Sequence, residues 1–360
     1  MKHYEIRLTQ DLNAIRERVV AVGHAVGKAL QEAMRGLNSF DKERLNRVML
    51  HDHPINRETR AIDQLCHAFV ARHLPAAGHL RFVSSVLRLN IALERVGDYA
   101  VTLGRVGVLL PQAIPTASLE AIHEIGERAI RMLSLAIQAF EEGDVELARD
   151  TILIAKKIDV IHTRAFSSVM EDGEDRSLRE VVSVLTILSH LERVSDQAKN
   201  ICEEAIFVKT GQTKQPKVYK VLFIDETNSL VSPLAAALAR KAFPESGRYT
   251  SAGWAPSGAL HPALDRIADR LSLDITSTTP LGLDTVADQT SQYNVIVLIH
   301  PEKVGELPDI PFHTILLRWA LGSPPSGDEQ PFDARMDEIA RDLSTNIQDL
   351  MVTLRGEHAN

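Results

Sequence analysis

The sequence predicts a multidomain protein in which a pair of all-α three-helix bundles precedes an α/β domain with a parallel sheet flanked by helices. Apolar residues recur at three- and four-residue steps through the first 210 residues, as on one face of a helix. A six-residue motif returns after 98 residues, and short apolar runs replace the helical spacing after a polar linker at 211–216. We therefore expect domains at residues 1–112, 116–212 and 217–356.

The first bundle is predicted to contain three helices. Residues 12–34 carry one apolar stripe, and a break at 38–41 supplies the acidic first turn of a second helix that ends at Pro75. The third helix carries apolar residues from Phe82 to Ala100, and Pro111 and Pro115 mark a linker.

The same series then recurs, which indicates an internal duplication. Helices are expected at 118–141, from the break at 142–144 to about 170, and on to about 210. The segment 93–98, Leu-Glu-Arg-Val-Gly-Asp, returns at 191–196 as Leu-Glu-Arg-Val-Ser-Asp, together with its apolar stripe. Two similar three-helix bundles follow from this repeat.

Each copy of the motif places two carboxylates four residues apart, on one helix face. These are Glu94 and Asp98 in the first copy, and Glu192 and Asp196 in the second. Their mutual repulsion requires a proton, a basic neighbour, solvent or a bound cation. A solvated ridge with Arg95 and Arg193 in local ion pairs is one interpretation, and repetition at equivalent positions favours the other, a metal site.

With its surroundings, this motif resembles the PhoU family of phosphate-uptake regulators over residues 1–212. The matching segments are 52–56, 61–66, 80–81, 93–100, 157–159 and 191–204, with Pro75. The resemblance implies two bundles related by pseudo-symmetry, whose acidic motifs on neighbouring helices can hold multinuclear clusters of iron, zinc or similar metals. For this chain we expect a metal ion, which is iron, zinc, manganese or magnesium.

By this resemblance the metal-site residues lie on the second and third helices of each bundle. They are Glu94, Asp98, Glu192, Asp196, Asp63, Asp159 and Asp52. The chain departs from the family at Thr59 and Ala155, where acidic partners of Asp63 and Asp159 are usual.

The last third alternates strands with helices. Strands are expected at 218–224, 249–252, 294–299 and 314–317, and helices from Pro233 and at 262–271, 283–290 and 332–354. Elements of these lengths favour a parallel sheet covered on both faces.

This region resembles the low-molecular-weight protein tyrosine phosphatase and arsenate reductase family, through the first strand, the loop 225–233 and the segment 251–253. Active members carry a nucleophilic Cys and an oxyanion-binding Arg where this chain has Asp225 and Val231, whereas Asn228, Ser232 and Pro233 match. The family's late Asp-Pro is replaced by Ser323-Pro324. Without a thiolate or guanidinium, we expect a degenerate loop and no catalysis.

Composition limits the partners. The chain has 360 residues, 44% of them hydrophobic, and 40 Lys+Arg against 48 Asp+Glu give a net charge of −8. An acidic chain is not a general nucleic-acid binder. The two cysteines lie outside any CxxC pair, and no apolar run is long enough to span a bilayer, so we expect a cytoplasmic protein that contacts membranes only through partners.

We expect a non-catalytic regulator of phosphate transport and phosphate-regulon signalling. The PhoU resemblance implies contacts with the ATPase subunit of a phosphate ABC transporter and with a phosphate sensor histidine kinase, and we also expect a homodimer. The last domain would be an interaction or sensing module. The alternative is a metal-binding bundle, for storage or carboxylate-metal catalysis, with no role in phosphate signalling.

Overall fold

The computed structural model describes residues 2–171, 177–213, 216–287, 292–299, 310, 314–321, 332–356 and 359. The chain divides into two compact units, Met1–Lys214 and Gln215–Asn360. The first is helical and the second is α/β, so the predicted fold class is confirmed.

The first unit consists of six helices in its described residues. They are α1 (Lys2–Ser39), α2 (Lys42–His73), α3 (Ala77–Leu109), α4 (Thr116–Glu142), α5 (Val145–Glu171) and α6 (Leu178–Thr210). Asp41 caps α2 by accepting the N–H of Arg44, and Gly143 and Gly211 end α4 and α6 in the left-handed region. The predicted breaks are therefore confirmed.

Helix α1 is longer than the predicted span of 12–34. Its first turns are held by polar contacts with the end of α2: the Tyr4 hydroxyl donates to the carbonyl of His73, and Asp11 accepts from Arg72 and His73. These contacts are polar, so they leave no trace in the spacing of apolar residues, and the sequence pattern therefore underestimated the length of α1.

A shared apolar core joins these helices. Leu93 on α3 and its repeat Leu191 on α6 are both fully buried, as are Val96 and Val194. Helices α3 and α6 pack against each other as well as within their own bundles. The duplicated stripe is therefore the core-facing side of each third helix.

The second unit has a four-stranded parallel sheet in its described residues. The strands are β1 (Tyr219–Asp225), β2 (Gly247–Gly253), β3 (Val295–Ile299) and β4 (Ile315–Trp319), in the order β2-β1-β3-β4. The helices are α7 (Val231–Ala242), α8 (Pro262–Leu271), α9 (Leu283–Ala287) and α10 (Phe332–Arg355).

Alternate side chains of the central strands enter two separate cores. Phe223 faces a core shared with α7, α8 and α10, whereas Leu222 and Ile224 face a core that includes Leu283 and Val286 of α9. Burial on both faces explains the continuous apolar run of β1.

Some predicted positions are corrected or lie outside the described residues. Helix α7 begins at Val231 and not at Pro233, because proline is tolerated throughout a first helical turn. The predicted helix 283–290 is described only as Leu283–Ala287, and Ser323-Pro324 lies outside the described residues. In the part of the chain that is described, no helix is long and apolar enough to cross a membrane.

Candidate functional site

The seam between α2 and α3 brings two of the predicted carboxylates together. Loss of hydration raises the pKa of Asp98, the nearby Asp52 charge raises it further, and Arg105 opposes both effects. Asp52 Oδ1 is buried and lacks a hydrogen-bond partner among the described residues. A Cβ at Gly97 would lie 3.2 Å from that oxygen, so glycine leaves the room that Asp52 uses.

The same seam continues toward Asp63 through two amides. Asn56 donates to Asp52 Oδ2 at 2.6 Å, and Asn90 donates to Asp63 Oδ1 at 2.8 Å and to the carbonyl of Thr59 at 2.7 Å. The Oδ1 atoms of Asn56 and Asn90 are buried without a hydrogen-bond partner in the described structure. Three orphaned oxygen acceptors therefore line this seam.

The second bundle gathers Asp159 of α5 with both predicted carboxylates of α6. Burial raises the pKa of Glu192 to about 7, the charges of Asp196 and Asp159 add to the effect, and Arg193 opposes it. His162, one turn beyond Asp159, has a buried Nε2 without a hydrogen-bond partner among described residues. Ala155 is buried, so this seam lacks the fourth acidic side chain of the family pattern.

The donor sets fit an oxygen-preferring cation better than a thiophilic one. Within the described ranges, no three His, Cys, Asp or Glu side chains already converge as a metal site. The orphaned oxygens of the first seam are carboxylate and amide oxygens, which hard ions such as Mg²⁺ and Mn²⁺ prefer. Glu94 is exposed, on the same face as Asp98, and Arg95 makes no ion pair with a described residue.

In the second unit, the backbone of the loop between β1 and α7 donates hydrogen bonds to the carboxylate of Asp225, at the start of the same loop. Asp225 is 5% exposed; its Oδ1 accepts the backbone N–H of Asn228 at 2.6 Å, and its Oδ2 accepts that of Ser232 at 2.7 Å. The carboxylate of Asp225 thus accepts hydrogen bonds from two backbone N–H groups that would otherwise be available to a bound anion.

The remaining loop residues stabilise this closed arrangement. Asn228 adopts a φ of 47°, donates to the carbonyls of Ser251 and Leu281, and accepts from the Ser232 hydroxyl at 3.0 Å. Val231 is buried in the apolar core. The loop positions that matched an active phosphatase therefore hold the backbone in place, and position 231 offers no charge to an oxyanion.

The sequence patterns missed Asn90 and Gly97. Asn90 lies four residues before Glu94 and so belongs to the same face of α3, a spacing that identifies it once polar non-acidic residues are considered. Gly97 differs from its repeat Ser195, a substitution whose meaning depends on the position of Asp52 across the seam.

Comparisons with known proteins match the helical unit. The PhoU domain model matches residues 19–106 and 122–205. The phosphate-specific transport system accessory protein PhoU homolog of Pseudomonas putida is 33% identical over 215 residues, covering 58% of this chain and 83% of that protein. The crystal structure of the phosphate transport system regulatory protein PhoU from Streptococcus pneumoniae superposes with a TM-score of 0.54 and 26% identity, covering 58% of this chain and 99% of that one.

Arsenate reductases are also among the structural neighbours. The enzyme from Archaeoglobus fulgidus DSM 4304 aligns with a TM-score of 0.30 and 23% identity, covering 36% of this chain and 98% of that one.

Proposed function

Because the chain belongs to the PhoU family, we propose that it is an accessory protein that regulates a phosphate-specific transport system. The observation that carries the proposal is the duplicated PhoU domain over residues 19–106 and 122–205. Curated relatives are named accessory proteins of such systems, which supports the same role here.

We assign the regulatory contacts to the helical unit. Its partners in this proposal are the ATPase subunit of a phosphate ABC transporter and a phosphate sensor histidine kinase, with the protein acting as a homodimer. Leu153 and Val160 support a docking role for α5, because they are about 60% exposed and lie seven residues apart on one helix face. Lys156 and Lys157 are exposed between them, so this face is suited to an acidic, partly apolar partner surface.

The acidic seams would bind a divalent cation. In the first bundle Asp52, Asp98 and Glu94 supply carboxylates, and Asn56 adds an amide oxygen; in the second the donors are Asp159, Glu192 and Asp196. The raised pKa values of Asp98 and Glu192 support this assignment, because a bound cation would offset both the burial and the carboxylate repulsion that raise them. Such an ion would link two helices and stabilise the surface that partners contact.

The α/β unit acts in this proposal as a non-catalytic interaction or sensing module. Its loop has a carboxylate at 225 and a buried valine at 231, in place of a thiolate nucleophile and a guanidinium. The hydrogen bonds of Asp225 support a structural use of the loop.

A pull-down from native membranes tests the regulatory role. The tagged full chain should recover the phosphate transporter ATPase or the sensor kinase, identified by mass spectrometry. Leu153→Lys with Val160→Lys should reduce recovery, whereas the control Leu109→Lys, at an exposed apolar residue near the end of α3, should leave recovery unchanged. Reproducible absence of both partners would contradict the proposal and favour a metal-binding bundle without a role in phosphate signalling.

A further inference from the structure

A cavity of about 420 Å³ opens between α3 and α6, away from the acidic seams. Ala92 and Arg95 of α3 line it, together with Gln197, Asn200 and Phe207 of α6. The volume lies within the range of sites that hold small molecules, roughly 300–1,000 Å³. None of these residues belongs to the carboxylate sets described above.

The internal duplication provides a comparison for this cavity within the same chain. The 98-residue offset relates Ala92 to His190 and Gln197 to Tyr99. At those repeated positions, the Tyr99 and His190 rings contact each other edge to face, with centroids 5.4 Å apart. The corresponding residues at the cavity are Ala92 and Gln197, which offer a methyl group and an amide in place of the two rings.

The charged wall of the cavity also has no counterpart at the repeated positions. Arg88 donates to both carboxylate oxygens of Glu204, at 2.5 and 2.8 Å, and its guanidinium lies 5.3 Å from the centre of the Phe207 ring. The offset relates these three residues to Thr186, Val106 and Leu109, which form no such wall. The result is a fixed guanidinium and an aromatic ring, surfaces on which flat rings stack.

Two further groups offer polar recognition. Arg95 forms no ion pair or hydrogen bond with a described residue, so its guanidinium is available to a phosphate or carboxylate. Gln197 and Asn200 approach each other at 3.5 Å, which leaves most of their donors and acceptors for a ligand. Such amides recognise the polar edges of heterocycles.

We propose that this cavity binds a small nucleotide-like molecule, a flat heterocycle joined to one phosphate-type anionic group. The heterocycle would lie against the Arg88–Phe207 wall with its polar edge toward the two amides, and the anionic group would pair with Arg95. Two arginines and two glutamates line the cavity, so its formal charge is balanced and favours a monophosphate over a polyphosphate.

Calorimetric titration of the full chain with adenosine 5′-monophosphate tests the proposal. We expect saturable binding, weakened about tenfold or more for adenosine, which lacks the anion, and for inorganic phosphate, which lacks the ring. Ala92→His with Gln197→Tyr introduces the ring pair found at the repeated positions into the cavity, and should abolish binding. Tyr99→Gln with His190→Ala makes the reverse exchange at residues that do not line the cavity, and should leave binding unchanged.

A second variant keeps the test decisive if the filled cavity disturbs folding. Arg95→Met changes an exposed residue and should weaken monophosphate binding about tenfold without affecting adenosine. Lack of saturable binding by the folded wild-type chain would overturn the proposal. Equal affinity for adenosine and its monophosphate, or unchanged binding after the cavity is filled, would do the same.

Discussion

Asp225, the last residue of β1, accepts a 2.7 Å hydrogen bond from the backbone N–H of Ser232 in the first turn of α7. A second bond, from Asn228, takes the other carboxylate oxygen. Asn228 and Ser232 are both fully buried, so their N–H groups cannot reach water and the Asp225 carboxylate is the acceptor that satisfies them.

Removing this carboxylate should destabilise the α/β unit. Asp225→Ala orphans two buried N–H groups, and we expect a loss of about 3 kcal/mol in the free energy of unfolding. Both tryptophans of the chain, Trp254 and Trp319, lie in this unit, so their fluorescence during urea unfolding reports it. The exposed control Glu245→Ala should change stability by about 0.5 kcal/mol or less, and an equally small effect of Asp225→Ala would refute the structural role.

The wild-type chain should not hydrolyse an aryl phosphate or reduce arsenate. Asp225→Cys alone should remain inactive, because without an arginine at 231 the oxyanion loses a preorganised charge that typically contributes about a hundredfold or more in rate. Asp225→Cys with Val231→Arg should regain weak phosphate binding if the fold tolerates the buried change. Wild-type turnover that disappears in Asp225→Asn would instead identify Asp225 as a nucleophile.

Cation binding should depend on the carboxylate pairs at the seams. Glu94→Gln with Asp98→Asn should remove the first bundle's share of bound Mn²⁺, measured by elemental analysis and by thermal shift. Glu146 and Asp150 on α5 have the same four-residue spacing and are likewise exposed, but neither is a predicted metal ligand, so Glu146→Gln with Asp150→Asn is the matched control. If added cations leave the stability of the wild type unchanged, the acidic seams are solvated ridges.

Without metal, the second seam should make stability fall as pH rises. Burial raises the pKa of Glu192 to about 7 in the folded chain from its ordinary 4.5, so the native state keeps its proton to a higher pH than the unfolded state does. Stability from the protonated form is complete below about pH 4.5 and is lost as the pH approaches 7 and above. In chelator, the melting temperature of Glu192→Gln should fall less than that of wild type between pH 5 and 8; parallel curves would contradict the shift.

The buried amide of Asn90 should contribute measurably to the first bundle. Asn90→Ala leaves the carbonyl of Thr59 and a carboxylate oxygen of Asp63 without their donor, and we expect a loss of about 2 kcal/mol. Thermal unfolding followed by circular dichroism measures the change, with the exposed Asn38→Ala as control. Equal stabilities of the two variants would show that the amide bridge has no energetic role.

Periodicity predicted most of the helical unit because burial requires it. A helix that packs on one side must repeat apolar residues at helical spacing, so Leu93 and Leu191 revealed both their own burial and the duplication. The same reasoning underestimated α1, whose first turns depend on Tyr4 and Asp11 reaching the end of α2. The membership of the PhoU family that the motifs indicated is confirmed, whereas metal binding and the named partners remain predictions.

The sequence by itself determined the helices, the order of the strands along the chain, the duplication and the identity of the carboxylates, because each depends on local spacing or on residue type. Tertiary structure alone decided that Asp52 lies near Asp98 and beside Gly97, and that Asp225 accepts hydrogen bonds from its own loop. It also decided that Ala92 and Gln197 line a cavity, whereas their repeats His190 and Tyr99 pack against each other. Each of these contacts is between residues on different parts of the chain. Their distances depend on how helices, strands and loops pack, and the spacing of residues along one helix or strand carries no information about that packing.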